Sequence, residues 1–262
     1  MELRLIDVSK HQGKIDWAQV KHHIDGAIIR CGFGSDIPSQ DDGQFKANVE
    51  GCLKHGIPFG VYLYSYAKTI EMAKSEAAHV LRLLAPYKGK LSFPVYYDLE
   101  ENGTEKGAVE RAIVFGDIIE ANGYWCGIYA NQYWWRTHLK DKLDRFTKWV
   151  AKYSDDKPTG ISGTYDIWQF TSNGSIPGIN GRVDVNVCYR NFPAEIKGAA
   201  KVEYFPKYEE TLAIALAALG IDSSFTYREK IAYVNGIQNY KGTAEQNRLL
   251  LAYLKEGALI KP

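Results

Sequence analysis

From the N-terminus to about residue 192, short apolar runs alternate with segments whose apolar positions recur at helical spacing, the rhythm of a parallel α/β architecture. The runs predict strands over Leu3 to Asp7, Gly26 to Arg30, Phe59 to Tyr64, Phe93 to Asp98, Trp125 to Tyr129, Phe146 to Ala151, Tyr165 to Gln169 and Arg182 to Val187. Amphipathic helices are predicted between them at Trp17 to His23, Gln44 to His55 before Gly56, Ile70 to Leu84 before Pro86, and Lys106 to Asn122 before Gly123, with a shorter one after Asn131. After Phe146 the gaps hold Gly, Pro, Ser and Thr in place of helical periodicity, so loops or hairpins join the last strands. The pattern describes a (β/α) barrel of eight strands and about five helices, with helices missing from its closing third.

Residues Pro193 to Pro206 change in character and read as a linker. Beyond them, Tyr208 to Leu219 is apolar at helical spacing and stops at Gly220. Thr226 with Glu229, and Thr243 with Gln246, have the spacing of capping boxes that open further helices. The chain therefore divides into a barrel domain over 1–194, a linker over 195–206 and a small all-α domain of three helices over 207–262.

With 45% hydrophobic and 24% charged positions among 262 residues, the composition is that of an ordinary globular protein able to bury a full core. A formal net charge of +1 provides no long-range field to gather a polyanion, which argues against nucleic acid as a partner. The start, MELRLIDVSK, lacks a basic region followed by an apolar stretch of signal length, and no window approaches about eighteen consecutive apolar residues. The expectation is a chain made in the cytosol with no membrane partner. Cys31, Cys52, Cys126 and Cys188 are scattered without CxxC pairing and read as reduced, buried thiols.

In PVYYDLE, Asp98 and Glu100 lie two residues apart, so strand geometry carried through Glu100 points both carboxylates to one face. They sit at the C-terminal end of a strand, the end a barrel turns towards its mouth. Asp7 ends the first strand, and Asp184 lies in the last, GRVDVNV. Closure of the barrel makes those two strands neighbours and sets Asp98 and Glu100 across the mouth from them. Such convergence is costly, because like charges a few ångströms apart force at least one carboxyl to keep its proton near neutrality. Glycoside hydrolysis uses that situation: one protonated acid donates to the leaving oxygen while ionised carboxylates support an oxocarbenium-like transition state.

The 18 Tyr and 6 Trp add flat, half-polar faces of the kind that stack on sugar rings. In FGVYLYSY, Tyr62, Tyr64 and Tyr66 share a strand face, and Tyr129, Trp168 and Gln169 lie near strand ends. Singly each fits core packing; as a group they offer platforms for sugars. No GxSxG elbow, P-loop or HExxH is present, and GFGSD lacks the third glycine of a dinucleotide fingerprint. The six His are dispersed, so neither a metal nor a cofactor is expected.

Taken in order, IDVSKHQGKIDW, GAIIRCGFG, FKANVEGCLKHGIPFGVYLYSYA, PVYYDLE, GIYAN, YDIWQF and GRVDVNV resemble the family-25 glycoside hydrolases over about residues 1 to 192. These are bacterial and phage lysozymes built on an irregular, flattened barrel of eight strands with too few helices. The resemblance implies a muramidase that cleaves the β-1,4 bond between N-acetylmuramic acid and N-acetylglucosamine in bacterial peptidoglycan. It implies Glu100 as proton donor, Asp98 assisting beside it, and Asp7 and Asp184 shaping the site and its electrostatics. By the same analogy Tyr62, Tyr64, Tyr129 and Gln169 line the substrate groove.

A catalytic domain with a helical module and no secretion signal looks like a phage endolysin or a prophage relic, released into the wall by another protein's membrane lesion. The tail then binds a cell-wall component; its other reading is a dimerisation or stabilising element. Two further functions stand beside muramidase. One is a non-catalytic peptidoglycan-binding barrel, against which the complete set of acids argues. The other is a different barrel enzyme, such as an N-acetylglucosaminidase or a lyase, which would leave a different sugar end.

Overall fold

The structure is a computed structural model that describes residues 2–198, 212–218, 220–237, 239–256 and 258–262. The chain divides into two compact units, Met1–Gly198 and Ala199–Pro262. In the first, eight strands close a barrel in chain order: β1 (Leu3–Val8), β2 (Gly26–Phe33), β3 (Phe59–Tyr64), β4 (Val95–Asp98), β5 (Cys126–Asn131), β6 (Thr147–Ala151), β7 (Ile167–Gly174) and β8 (Val183–Cys188). β1 to β7 pair in parallel, whereas β8 is antiparallel to both β7 and β1. The barrel is thus parallel, as the pattern predicts, except at β8, where one of the hairpins expected in the closing third turns the strand round. The connection explains it, since SIPGINGR over residues 175–182 is too short and too rich in breakers for the crossover that a parallel partner requires.

Between the strands lie α1 (Trp17–Val20), α2 (Phe45–His55), α3 (Ile70–Leu84), α4 (Ala108–Ala121) and α5 (Gln132–Trp134), the last running into a π-helical turn at Trp135–Leu139. Local chemistry sets their ends. Thr69 caps α3 by accepting the Met72 N–H, and Asn131 caps α5 by accepting that of Trp134. Gly56, at φ 68°, ends α2 in the left-handed region. As the pattern predicts, no helix separates β6 from β7 or β7 from β8.

Strand alternation sorts the side chains into two layers. Ala27, Ile29 and Cys31 of β2 belong to the shell packed by the helices, while Ile28 lies inside the barrel with Leu5, Tyr96, Tyr129, Trp149 and Ile167. Gly127 leaves room for that aromatic filling, for a Cβ there would lie 2.3 Å from the Tyr96 ring. The end away from the mouth is closed by α6 (Phe192–Gly198). Phe192 is fully buried, its ring 6.0 Å from Phe93 and 6.2 Å from Trp125, the residues that lead into β4 and β5. Residues 195–198, which the sequence suggests as the start of a linker, are therefore the end of a helix in the barrel unit. The apolar anchor of Phe192 and the cap from Asn191 to the Ala194 N–H account for the difference. The rest of that linker, and the beginning of the helix expected from Tyr208, lie outside the described residues.

In the second unit α7 (Leu212–Ala218), α8 (Phe225–Val234) and α9 (Ala244–Glu256) share a core with Leu212, Leu216, Ile231, Leu250, Leu254 and Leu259. Thr243 and Gln246 form the expected reciprocal cap, each side chain accepting the other's backbone N–H at 3.3 Å. At α8 the cap is Ser224, not Thr226: its hydroxyl accepts the Tyr227 N–H and is held in turn by Asp222.

Candidate active site

Four carboxyls meet at one end of the barrel. Asp7 points inward from the end of β1, and its direct cross-strand partner in β8 is Asp184. Because β8 runs against its neighbours, its second residue, not its last, reaches the mouth. Asp98 is the last residue of β4, and the chain leaves the strand there: the Leu99 N–H still bonds the Tyr129 carbonyl at 2.9 Å, and Glu100 follows, half-buried at the rim.

The electrostatics tie the four together. Burial pushes the Asp98 carboxyl well above the usual range, and the charges of Glu100 and Asp7 push it further; Arg30 opposes them. Asp7 is also raised, by burial first and then by Asp184, against hydrogen bonds from Asn186 and Gln169 that favour its anion. Glu100 is raised by burial, then by Asp184 and by Glu101. Burial raises Asp184 as well, and a hydrogen bond with Asp7 counters it. The Oδ1 atom of Asp98 is buried with no hydrogen-bond partner among the described residues. Arg30 is aimed by Asp42, whose Oδ2 accepts its Nε–H at 2.9 Å and the Lys10 N–H at 3.0 Å.

Of the residues expected to line a groove, Tyr62 and Tyr64 are partly open. Tyr62 stands edge-on to Trp149 at 6.0 Å, and the Tyr64 hydroxyl donates to Glu101 at 2.8 Å. Tyr66 lies beyond β3, its ring 5.2 Å from Tyr64. Tyr129 and Gln169 are buried, and their polar atoms engage one another: the Tyr129 hydroxyl donates to Gln169 Oε1 at 2.9 Å, and Gln169 Nε2 donates to Asp7 at 2.9 Å. Trp168 turns away from the acids and donates its indole N–H to the Lys152 carbonyl.

Besides the Arg30–Asp42 pair, three participants escape the sequence reading: Asn186, Trp149 and Tyr153. Asn186 donates to Asp7 at 2.9 Å and accepts the Trp149 indole N–H at 2.7 Å, and Tyr153 donates to Gln169 Oε1 at 3.1 Å. Asn186 was within reach, because it lies two residues after Asp184 and so on the same strand face. Trp149 reads as core, and Tyr153 stands in an irregular loop with no periodic signal.

Open clefts border the acids on two sides. One of about 850 Å³ is lined by Glu100, Asn102, Glu105, Asn131, Tyr133 and His138. The other, of about 420 Å³, is lined by Asp184, His11, Gln12, Ser172, Asn180 and Arg182. Acids set between two clefts, Glu100 on one and Asp184 on the other, can serve a linear polymer that extends past them on both sides.

The sequence profile of glycosyl hydrolases family 25 matches residues 6–179, well over half of the chain. Lysozyme M1 of Streptomyces globisporus is 26% identical over 206 residues, covering 69% of this chain and 66% of that protein. Among solved structures, the catalytic domain of endolysin ply40, from bacteriophage P40 of Listeria monocytogenes, is 28% identical with a TM-score of 0.65, covering 76% of this chain and 98% of that one. The modular autolysin LytC of Streptococcus pneumoniae, solved with a synthetic peptidoglycan ligand, is 30% identical with a TM-score of 0.63; 72% of this chain spans 47% of LytC. A 37-residue segment, 14% of the chain, is 60% identical to the L-alanyl-D-glutamate peptidase of Listeria phage A118.

Proposed function

The chain belongs to glycosyl hydrolases family 25, and on that premise we propose that it is a lysozyme that cleaves the β-1,4 bond between N-acetylmuramic acid and N-acetylglucosamine in peptidoglycan, with Glu100 as proton donor. The observation that carries the assignment is the setting of Glu100. It borders a cleft at the edge of the acid cluster, and burial together with the charge of Asp184 favours its protonated form. A carboxyl in that state protonates the leaving oxygen as the glycosidic bond breaks.

Asp98 meets the positive charge that develops on the sugar. Its unpartnered Oδ1 suits an N–H donor, and the sugar's 2-acetamido group supplies one. Held this way, the acetamido oxygen attacks the anomeric carbon as Glu100 delivers its proton, and water then opens the ring intermediate with net retention. Tyr62 and Tyr64 contact the sugars, while Tyr129 and Gln169 act from beneath through Asp7.

We assign wall attachment to the second unit. Its separate core supports this, as does the end of the family match at residue 179, which leaves the second unit outside the hydrolase domain. Attachment raises the effective concentration of catalyst at the polymer. The reading fits a phage or prophage endolysin, and no helix among the described residues is long and apolar enough to cross a membrane.

The test is to digest purified peptidoglycan, reduce the products with borohydride and identify the terminal amino sugar by mass spectrometry. Reduced muramic acid is expected. Reduced glucosamine would mean the other glycosidic bond is cut, and no new reducing end would defeat the hydrolase reading.

A further inference from the structure

Asp7 is the acid whose proton the surroundings locate. It is 4% exposed, and its Oδ2 accepts two N–H bonds at 2.9 Å, from Gln169 Nε2 and Asn186 Nδ2. Asn186 is held in that orientation by the Trp149 indole, which can only donate and does so to Oδ1 at 2.7 Å. Gln169 is held by the hydroxyls of Tyr129 and Tyr153, which donate to its Oε1 at 2.9 Å and 3.1 Å.

An oxygen that accepts two N–H bonds is the carbonyl-type oxygen of a carboxyl, so a proton on Asp7 belongs on Oδ1. Asp7 and Asp184 are direct cross-strand partners, and two carboxyls set face to face are relieved of their repulsion when one proton lies between them. Of the two, Asp184 is the more open, and water can solvate its charge. The amide bonds alone favour an Asp7 anion; enclosure and the neighbouring carboxylate outweigh them.

We propose that Gln169 and Asn186 are positioning residues that confine a proton to Oδ1 of Asp7, facing Asp184, so that the pair enters the reaction as a monoanion whose charge, on Asp184, acts on Glu100. The consequence for Glu100 rests on the donor reading given above. The other groups acting with Asp7 are Asp98 of β4, Tyr62 of β3, Tyr129 of β5 and Tyr153 of the loop after β6, with Arg30 of β2 acting on Asp98 and Tyr62. Burial raises all three tyrosine hydroxyls and keeps them neutral, leaving Asp98 and Asp184 as the acids that answer to the state of Asp7.

The test compares kcat/KM against pH for the full chain and for Asp7→Asn, Asp7→Ala and Gln169→Met, alongside infrared difference spectra of the resting proteins. Asparagine reproduces a protonated Asp7, its carbonyl facing the two amides and its N–H facing Asp184. We expect a loss under about tenfold, with the basic limb of the pH profile unmoved, whereas alanine loses more than about a hundredfold. If Asp7 is instead ionised, Asp7→Asn removes a charge and the basic limb falls by about half a unit or more, which overturns the proposal. Gln169→Met frees the proton to move, lets Asp184 protonate more readily and lowers the basic limb; a change in melting temperature with no change in that limb would reduce Gln169 to a structural role and overturn its part. The infrared spectra should show one buried protonated-carboxyl band lost in Asp7→Asn at neutral pH. That readout needs no turnover, so a missing band and an active Glu100→Gln fail differently: the first overturns the Asp7 proton, the second the donor role.

Discussion

Asp98 is buried, and one of its oxygens is unpartnered. In an unfolded chain its carboxyl ionises near pH 4, whereas in the fold burial and the neighbouring acids hold the proton to higher pH. A carboxyl shifted upward costs nothing below its unfolded value, and it destabilises progressively as pH rises towards its folded value. Asp98→Asn should therefore raise the melting temperature at neutral pH, by roughly 2–4 °C per kcal/mol relieved, and the gain should vanish near pH 3 in a pH series of thermal melts. The same substitution should lower turnover by at least about a hundredfold. Glu100→Gln should abolish turnover in peptidoglycan release assays while circular dichroism shows an intact fold. At this scale the acids were legible from strand parity and strand ends, and Asn186 would have followed from the same parity. Tyr153 and the Arg30–Asp42 pair were not legible, because loops and long-range ion pairs leave no period in a sequence.

At the scale of elements, strand and helix positions followed closely from periodicity, since the inner and outer layers of a barrel impose the alternation that the pattern records. Direction was different. A strand's residues do not say which way it runs, and only the short hairpin before β8 brings Asp184 to the mouth. Caps were legible where both partners lie in the box, as at Thr243 and Gln246, and misplaced at α8, where Ser224 competes with Thr226. The anchor of α6 lay hidden in a stretch that reads as a linker. Phe192→Ala should cost about 3–5 kcal/mol in urea unfolding, because it removes the ring that packs on Phe93 and Trp125. Catalysis by the folded fraction should survive, since the acids lie at the other end of the barrel.

For the whole molecule, the two units have separate cores, and the proposed division of labour is testable by truncation. A chain ending at Gly198 should still hydrolyse purified wall but lyse whole cells at least about tenfold more slowly, as turbidity assays would show; equal rates on both substrates would remove wall attachment from the tail. The sequence alone determined the class of barrel, the helical tail, the four acids and the family, because apolar period, breaker residues and short motifs are properties of neighbours along the chain. The tertiary structure alone decided the register that sets Asp7 and Asp184 directly opposite each other, and that Tyr129 and Gln169 are drawn beneath the site into a hydrogen-bonded chain with Asp7. Those relations depend on which strands meet and on how far each side chain is withdrawn from water. Residues up to 179 positions apart, as Asp7 and Asn186 are, settle such matters only when the barrel closes.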